Sequence, residues 1–173
     1  FVNGLRKTDE QTLKIAEMVL SGQTNRKLVA MLQQYQFSAI GINGSDGGCL
    51  QANYINRKQL GFVGKISKVN TEFLELVVNR NYIPVITPIG ITENGEKLNI
   101  NADYAAAEVA KALHAEQCLF VTNVDGVFIE GSLASSLSKK EVSTFIVNGE
   151  ITGGMIPKVQ SALNAVEEGV ESV

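Results

Sequence analysis

The chain has 173 residues, of which 45% are hydrophobic and 19% are charged, and this balance suits a globular domain with a substantial core. The net charge is −3 with both signs interspersed, and tryptophan is absent, so neither a nucleic-acid-binding surface nor an anionic-membrane-binding surface is predicted. No apolar run approaches the roughly 20 residues that span a bilayer. Two cysteines and one histidine are too few for a disulfide framework or a structural zinc site, and they favour a reducing cytoplasm.

The first part of the chain predicts two helices and a buried strand. Residues 8–11 have the Thr-x-x-Gln pattern of a capping box, and the apolar spacing behind them predicts a helix that ends at Gly22. A second helix is predicted over residues 25–36, and a short buried strand over residues 37–42.

The middle of the chain is richer in β-prone residues. Two such runs, 50–55 and 62–69, are joined by polar residues and predict a hairpin. A helix is then predicted over residues 71–79 and a strand over residues 82–89, and a turn at 93–96 follows.

Three polar side chains, Asn99, Asn101 and Asp103, alternate before an alanine-rich helix predicted over residues 104–113. If this piece is extended, all three side chains lie on one face. Asp103 then lies at or near the helix start, where free N–H groups and the macrodipole favour a carboxylate. The alternative is that Asp103 is a plain N-cap, which leaves Asn99 and Asn101 unexplained.

The last part of the chain alternates between strand and helix. A compact apolar strand is predicted over residues 117–122. Helices are predicted over residues 138–147, where Ser138 can provide the N-cap, and over residues 155–168. The whole pattern predicts the α/β class, as a three-layer α/β/α sandwich with a mainly parallel central sheet plus a β-hairpin.

Ligands of such sheets bind beyond the carboxyl ends of the strands. Polar or glycine-rich loops follow three predicted strands, at residues 41–48, from Gly90 onward and at residues 123–126. We therefore expect the active edge of the sheet at these loops.

A glycine pair, Gly153-Gly154, precedes the last predicted helix, and Lys158 lies in its first turn. Backbone N–H groups and the helix dipole make such a loop a natural phosphate site. A cation at this end is unfavourable for the helix itself, and a bound phosphate would reverse that penalty. The alternative is a flexible surface lysine. No Walker-type glycine-lysine loop occurs in the sequence.

Two further features have both a functional and a plain interpretation. Arg6, after Gly4-Leu5, is able to clamp a carboxylate with two parallel hydrogen bonds, or it is a solvated arginine. The segment 123–127 is either a loop around a nucleotide or a turn that ends a strand. Cys49 and Cys118 are interpreted as packing or surface residues.

Five motifs together resemble those of the acetylglutamate kinases, within the amino acid kinase family. They occupy residues 4–8, 64–70, 99–103, 123–127 and 153–158, and they occur in the order and spacing of that family. The resemblance covers essentially the whole chain and implies a single amino acid kinase domain over residues 1–173. The Lys-x-Gly-Gly strand with which the family begins and the family's final segment are missing here, so the domain is expected to be incomplete at both ends and inactive alone.

The resemblance also implies roles for individual residues. Lys158 would stabilise the phosphoryl group in transit, and Asp103 would orient the catalytic lysines. Arg6, Asn99 and Asn101 would bind the substrate. The nucleotide site would comprise Asn123, Val124, Asp125, Gly126, Val127, Phe128, Ile151, Thr152 and Gly153.

The implied reaction is ATP-dependent phosphorylation of the γ-carboxylate of N-acetyl-L-glutamate in arginine biosynthesis, with Mg²⁺ accompanying ATP and with no tightly bound cofactor or protein metal site. Two alternatives stay open: an acetylaminoadipate-type kinase of lysine biosynthesis, and a noncatalytic nucleotide-binding fragment. The resemblance further implies a cytoplasmic homodimer with no nucleic-acid or membrane partner.

Overall fold

The computed structural model describes residues 6–173. The α-helices are α1 (Glu10–Glu17), α2 (Asn25–Gln34), α3 (Arg57–Leu60), α4 (Thr71–Val78), α5 (Ala102–Ala112), α6 (Lys139–Val147) and α7 (Met155–Glu167). The strands are β1 (Ala39–Asn43), β2 (Leu50–Tyr54), β3 (Gly64–Val69), β4 (Ile83–Thr87), β5 (Ile89–Ile91), β6 (Lys97–Asn99), β7 (Phe128–Ile129) and β8 (Ser132–Leu133). The chain divides into two compact units, Phe1–Ala105 and Ala106–Val173.

The first unit contains a parallel strand pair and a mixed sheet. Strands β1 and β4 run parallel in register from Ala39 opposite Ile83 to Asn43 opposite Thr87. A second sheet has the order β3-β2-β5-β6, in which β2 pairs antiparallel with β3 and parallel with β5. The predicted hairpin is therefore confirmed, as is the α/β class with parallel strands and helices.

The most deeply buried aliphatic side chains of the first unit come from the second sheet and from α4. Leu50, Leu74, Ile89 and Leu98 are fully buried. Each such side chain stabilises the fold by about 1.5–3 kcal/mol relative to its exposed state. This packing fixes β6, and therefore the start of the polar stretch that follows Leu98.

The second unit is built on α6, α7 and the β7–β8 hairpin. Val142, Ile151 and Val159 form one buried cluster between these elements. The predicted cap of α6 is confirmed as a full capping box: Ser138 Oγ accepts from the Glu141 N–H at 3.4 Å, and the Glu141 carboxylate accepts from the Ser138 N–H at 2.8 Å.

The predicted helix end at Gly22 is wrong. A π-helical stretch, Met18–Thr24, joins α1 directly to α2. Glycine weakens a helix by about 1 kcal/mol, but here tertiary contacts oppose that loss. Ser21 Oγ accepts from Asn43 Nδ2 at 3.0 Å, and the buried Asn25 Nδ2 donates to Val85 O at 2.6 Å.

The predicted capping box at residues 8–11 is also wrong by one residue. Asp9 is the N-cap of α1, and its Oδ1 accepts from the Thr12 N–H at 2.8 Å. That hydrogen bond is the main cause of the lowered pKa of the Asp9 carboxyl. Thr8 instead forms a parallel bridge with Gly61.

Residues 117–122 do not form the regular strand that their apolar composition predicts. Within the described part of the chain, their ladder pairing consists of the single bridge between Gln117 and Ser172, and Cys118 N donates to Ser172 O at 3.0 Å. Leu119 and Val121 are 73% and 94% exposed. A β-prone sequence needs a paired neighbour to become a strand, and here only its first residue has one among residues 6–173.

Of the two roles predicted for the cysteines, packing or surface, both residues have the packing role. Cys49 and Cys118 are buried free thiols. Burial raises the pKa of Cys49 to about 11 and also raises the pKa of Cys118. Neither thiol is therefore activated as a nucleophile at neutral pH.

Candidate active site

The polar stretch before α5 is shorter as a strand than its alternation predicts. Strand β6 ends at Asn99 and the helix begins at Ala102, so strand alternation does not place the three polar side chains on one face. Asn101 caps the helix, because its Oδ1 accepts from the Tyr104 N–H at 2.9 Å. Asp103 is therefore not the N-cap; it lies one position inside the helix, in the first turn, and is half-buried.

Arg6 and Asn99 are brought together through Thr8. The Thr8 hydroxyl donates to the carbonyl oxygen of Arg6 at 3.2 Å and accepts from Asn99 Nδ2 at 3.1 Å. Two of the predicted substrate-binding residues thus belong to one hydrogen-bonded chain, even though 93 positions separate them in the sequence. No sequence pattern predicts this role of Thr8, because a threonine near a capping pattern gives no signal of a contact with residue 99.

Backbone hydrogen bonds hold the same three segments in register. Thr8 N donates to Leu60 O at 2.9 Å, and Phe62 N donates to Thr8 O at 2.7 Å. Asn99 N in turn donates to Phe62 O at 2.9 Å. Gly61 allows this approach, since a Cβ atom there would lie 2.2 Å from the Thr8 carbonyl oxygen.

The start of α7 has the geometry that the glycine pair predicts. Gly153 has a φ of +56°, which glycine adopts without the penalty that a Cβ atom would bring. Gly154 is the N-cap and makes no side-chain capping hydrogen bond. Lys158 is the fourth residue of the helix and is half-buried.

Lys158 lines a cavity of about 260 Å³ in the second unit. Gly126 and Val127 of the predicted nucleotide loop line the same cavity. The remaining lining residues are Leu119, Phe120, Thr122, Met155, Val159, Ala162 and Val173. A second cavity of about 350 Å³ shares Val127, Val159, Ala162 and Val173 with the first and adds the serine-rich segment at residues 135–138. An apolar cavity with a few polar groups is the usual form of a small-molecule site.

The other predicted nucleotide residues do not line the first cavity within the described chain. Ile151 is buried in the core cluster with Val142 and Val159, so its side chain serves packing. The remaining residues of the predicted nucleotide site are exposed: Asn123, Val124, Asp125, Phe128, Thr152 and Gly153. The apolar lining of the cavity was missed in the sequence analysis, because core and cavity positions have the same residue types.

The described residues 6–173 contain neither a helix suited to cross a membrane nor a metal-binding cluster of side chains. No described helix combines the length and the apolar character that a membrane crossing requires. No group of three or more His, Cys, Asp and Glu side chains is arranged to hold a metal ion in the same part of the chain.

The amino acid kinase family model matches residues 2–173. The chain belongs to the amino acid kinase family. It is 47% identical over 173 residues to the acetylglutamate kinase of Geobacillus stearothermophilus, and the match covers all of this chain and 67% of that relative. This amino acid kinase chain therefore spans about two thirds of the length of a curated relative.

Solved structures agree with the family assignment. The Streptococcus mutans protein smu.665 superimposes with a TM-score of 0.93 at 30% identity, over 100% of this chain and 73% of that one. The N-acetylglutamate synthase of Neisseria gonorrhoeae, in a complex with coenzyme A and N-acetyl-glutamate, gives a TM-score of 0.86 at 28% identity, over 98% of this chain and 39% of that one. The amino acid kinase fold thus accounts for both units of the chain.

Proposed function

We propose that this protein is a kinase that uses ATP to phosphorylate the γ-carboxylate of N-acetyl-L-glutamate, giving N-acetylglutamyl phosphate in arginine biosynthesis. The observation that carries the proposal is the 47% identity to an acetylglutamate kinase along all 173 residues. The two groups of candidate residues support it, one able to bind an acylated amino acid and the other able to bind phosphate.

On the substrate side, the proposal assigns Arg6, Asn99 and Asn101 to N-acetyl-L-glutamate. A guanidinium binds a carboxylate through two parallel hydrogen bonds, which a lysine cannot reproduce. The Thr8 hydroxyl joins the main chain at Arg6 to the Asn99 side chain, which supports a common location for these two residues. The γ-carboxylate is already ionised and nucleophilic at neutral pH, so the reaction needs no general base.

On the nucleotide side, the proposal assigns ATP with its Mg²⁺ to residues 123–128 and 151–153. The cavity shared by Gly126, Val127 and Lys158 supports this assignment. The Lys158 ammonium would neutralise the charge on the phosphoryl group during transfer, while Asp103 would supply the fixed negative charge that orients catalytic lysines. Phosphoryl transfer depends chiefly on positioning and on charge stabilisation of this kind.

Steady-state kinetics on the full-length protein test the proposal, with N-acetyl-L-glutamate and N-acetyl-L-2-aminoadipate as competing substrates. One methylene group is worth about 1–3 kcal/mol, so we expect kcat/KM to favour acetylglutamate by roughly 10- to 200-fold. A preference for the aminoadipate derivative would transfer the assignment to lysine biosynthesis. ATP binding without turnover of either substrate would support a noncatalytic protein.

Arg6→Lys tests the substrate side of the same proposal. The KM for acetylglutamate should rise by about tenfold or more, because one of two parallel hydrogen bonds is lost, while the KM for ATP stays close to wild type. An equal rise in both KM values would remove Arg6 from the substrate site.

The proposal extends to a cytoplasmic homodimer. The buried free thiols Cys49 and Cys118 are compatible with a reducing compartment. Light scattering coupled to size-exclusion chromatography would give the mass of the assembly, and a monomer at micromolar concentration would contradict the dimer.

A further inference from the structure

Thr8 lies between two residues of the proposed substrate site and is itself absent from that site's assigned residues. Its side chain is 0% exposed, so its hydroxyl has no contact with bulk water. The hydroxyl is 3.2 Å from the carbonyl oxygen of Arg6 and 3.1 Å from Asn99 Nδ2. A buried hydroxyl with two specific partners constrains both of them.

The direction of these hydrogen bonds follows from the groups involved. The carbonyl of Arg6 is only an acceptor, and a threonine hydroxyl has a single hydrogen. The Thr8 O–H must therefore donate to Arg6, and its lone pair must accept from Asn99. These two hydrogen bonds turn the NH₂ group of the Asn99 amide toward Thr8, so the Oδ1 atom of Asn99 points away from Thr8.

We infer that Thr8 is a positioning residue, which fixes the Asn99 amide so that its Oδ1 accepts a hydrogen bond from the amide N–H of an N-acylated amino acid. The inference rests on the proposed function, since it names the group of the substrate that Asn99 recognises. Thr8 does not touch the substrate; it acts through Asn99. A site built to accept from an N–H group discriminates against an analogue that lacks this hydrogen, because a buried polar group is then left unpaired.

Isothermal titration of the full-length protein tests the inference with two ligands. The ligands are N-acetyl-L-glutamate and 2-acetoxyglutarate, the ester analogue in which oxygen replaces the N–H group. The wild-type protein should bind the amide about tenfold or more tightly than the ester. Thr8→Val, which keeps the shape and removes the hydroxyl, should weaken amide binding by about tenfold and abolish most of this discrimination, with the Kd for ATP unchanged.

Two further variants separate positioning from a merely structural role. Thr8→Ser keeps the hydroxyl and should retain the discrimination. In an Asn99→Ala background, Thr8→Val should weaken amide binding by no more than about twofold, because the residue through which Thr8 acts is gone. If Thr8→Val is too unstable for titration, the pair Thr8→Ser and Thr8→Ala compares the presence and absence of the hydroxyl instead.

Three outcomes would contradict the inference. Equal weakening of amide, ester and ATP binding in Thr8→Val would indicate a general structural role. An undiminished effect of Thr8→Val in the Asn99→Ala background would show that Thr8 does not act through Asn99. Failure of the wild-type protein to bind N-acetyl-L-glutamate would overturn the proposed function and the inference with it, whereas binding without discrimination would overturn the inference alone.

Discussion

The first turns of helices α5 and α7 differ in both their N-cap residue and the charge that follows it. At α5, a side chain caps the helix, since Asn101 Oδ1 accepts from the Tyr104 N–H, and an acidic residue, Asp103, follows in the first turn. At α7, the N-cap is Gly154, which has no side chain to offer, and a cation, Lys158, follows. The first arrangement stabilises a helix without help, and the second leaves the positive end of the dipole beside a positive charge.

Under the proposed function, this difference predicts that the α7 start, and not the α5 start, binds a phosphate ligand. A carboxylate in the first turn is explained by the dipole alone, so the position of Asp103 is weak support for a functional role. A lysine near the N-terminus of a helix opposes the dipole by about 0.3–1 kcal/mol, and a bound phosphate would convert that cost into an attraction. The cavity that Lys158 lines with Gly126 gives such a ligand a place to bind.

The largest expected effect is that of Lys158→Met on the rate. The kcat of the full-length protein should fall by about 10²- to 10³-fold, because a preorganised positive charge near the transferring phosphoryl group is removed. The KM for ATP should change little if the lysine acts mainly in the transition state. The melting temperature should stay within about 4 °C of wild type, which corresponds to about 1 kcal/mol in a domain of this size.

Lys140→Met is the matched control for that variant. Lys140 is the second residue of α6, is exposed and has no proposed catalytic role. The substitution removes a lysine from the first turn of a helix, as Lys158→Met does, and it should leave kcat unchanged. A similar loss of rate in both variants, or in neither, would contradict the role of Lys158.

Asp103→Asn tests whether the α5 start has any function beyond helix stability. The fold should be nearly unaffected, because Asn101 provides the cap. The rate should nevertheless fall by about 10²-fold if the charge of Asp103 orients catalytic groups. Asn101→Ala should show the contrasting effect on stability, with a loss of about 1 kcal/mol in the free energy of unfolding. Near-wild-type turnover of Asp103→Asn would contradict its proposed catalytic role.

Local patterns predicted much of this fold correctly. The hairpin of β2 and β3 and the capping box of Ser138 follow from residues that lie close together in sequence. The failures occur where distant contacts decide the outcome. Gly22 does not end a helix, because Asn43 and Val85 hold the segments on either side of it.

In the candidate site too, local features could be predicted from the sequence, and features that depend on distant contacts or on the backbone could not. The turn geometry at Gly153 could be predicted, because a glycine pair before a helix is a local signal. The cap of α5 was placed two residues too late, since Asn101 and Asp103 are both good capping residues and only the backbone decides between them. The Thr8 contact with Asn99 joins segments 91 positions apart and has no pattern in the sequence.

Gly153 and Gly154 allow a last comparison, between a loop whose conformation requires glycine and a loop that merely contains it. Gly153→Ala places a Cβ atom on a residue with a φ of +56°, which should cost about 1–2 kcal/mol of stability. Gly154→Ala is the matched control, because its φ of −68° suits alanine and nothing lies within 4 Å of the added atom. That variant should lie within about 0.5 kcal/mol of wild type, since alanine has fewer unfolded conformations to lose but is a poorer N-cap residue than glycine. Urea denaturation of the two variants measures the difference directly. Equal stabilities would mean that the loop adapts freely, and the α7 start would then lack the fixed geometry that a preorganised phosphate site requires.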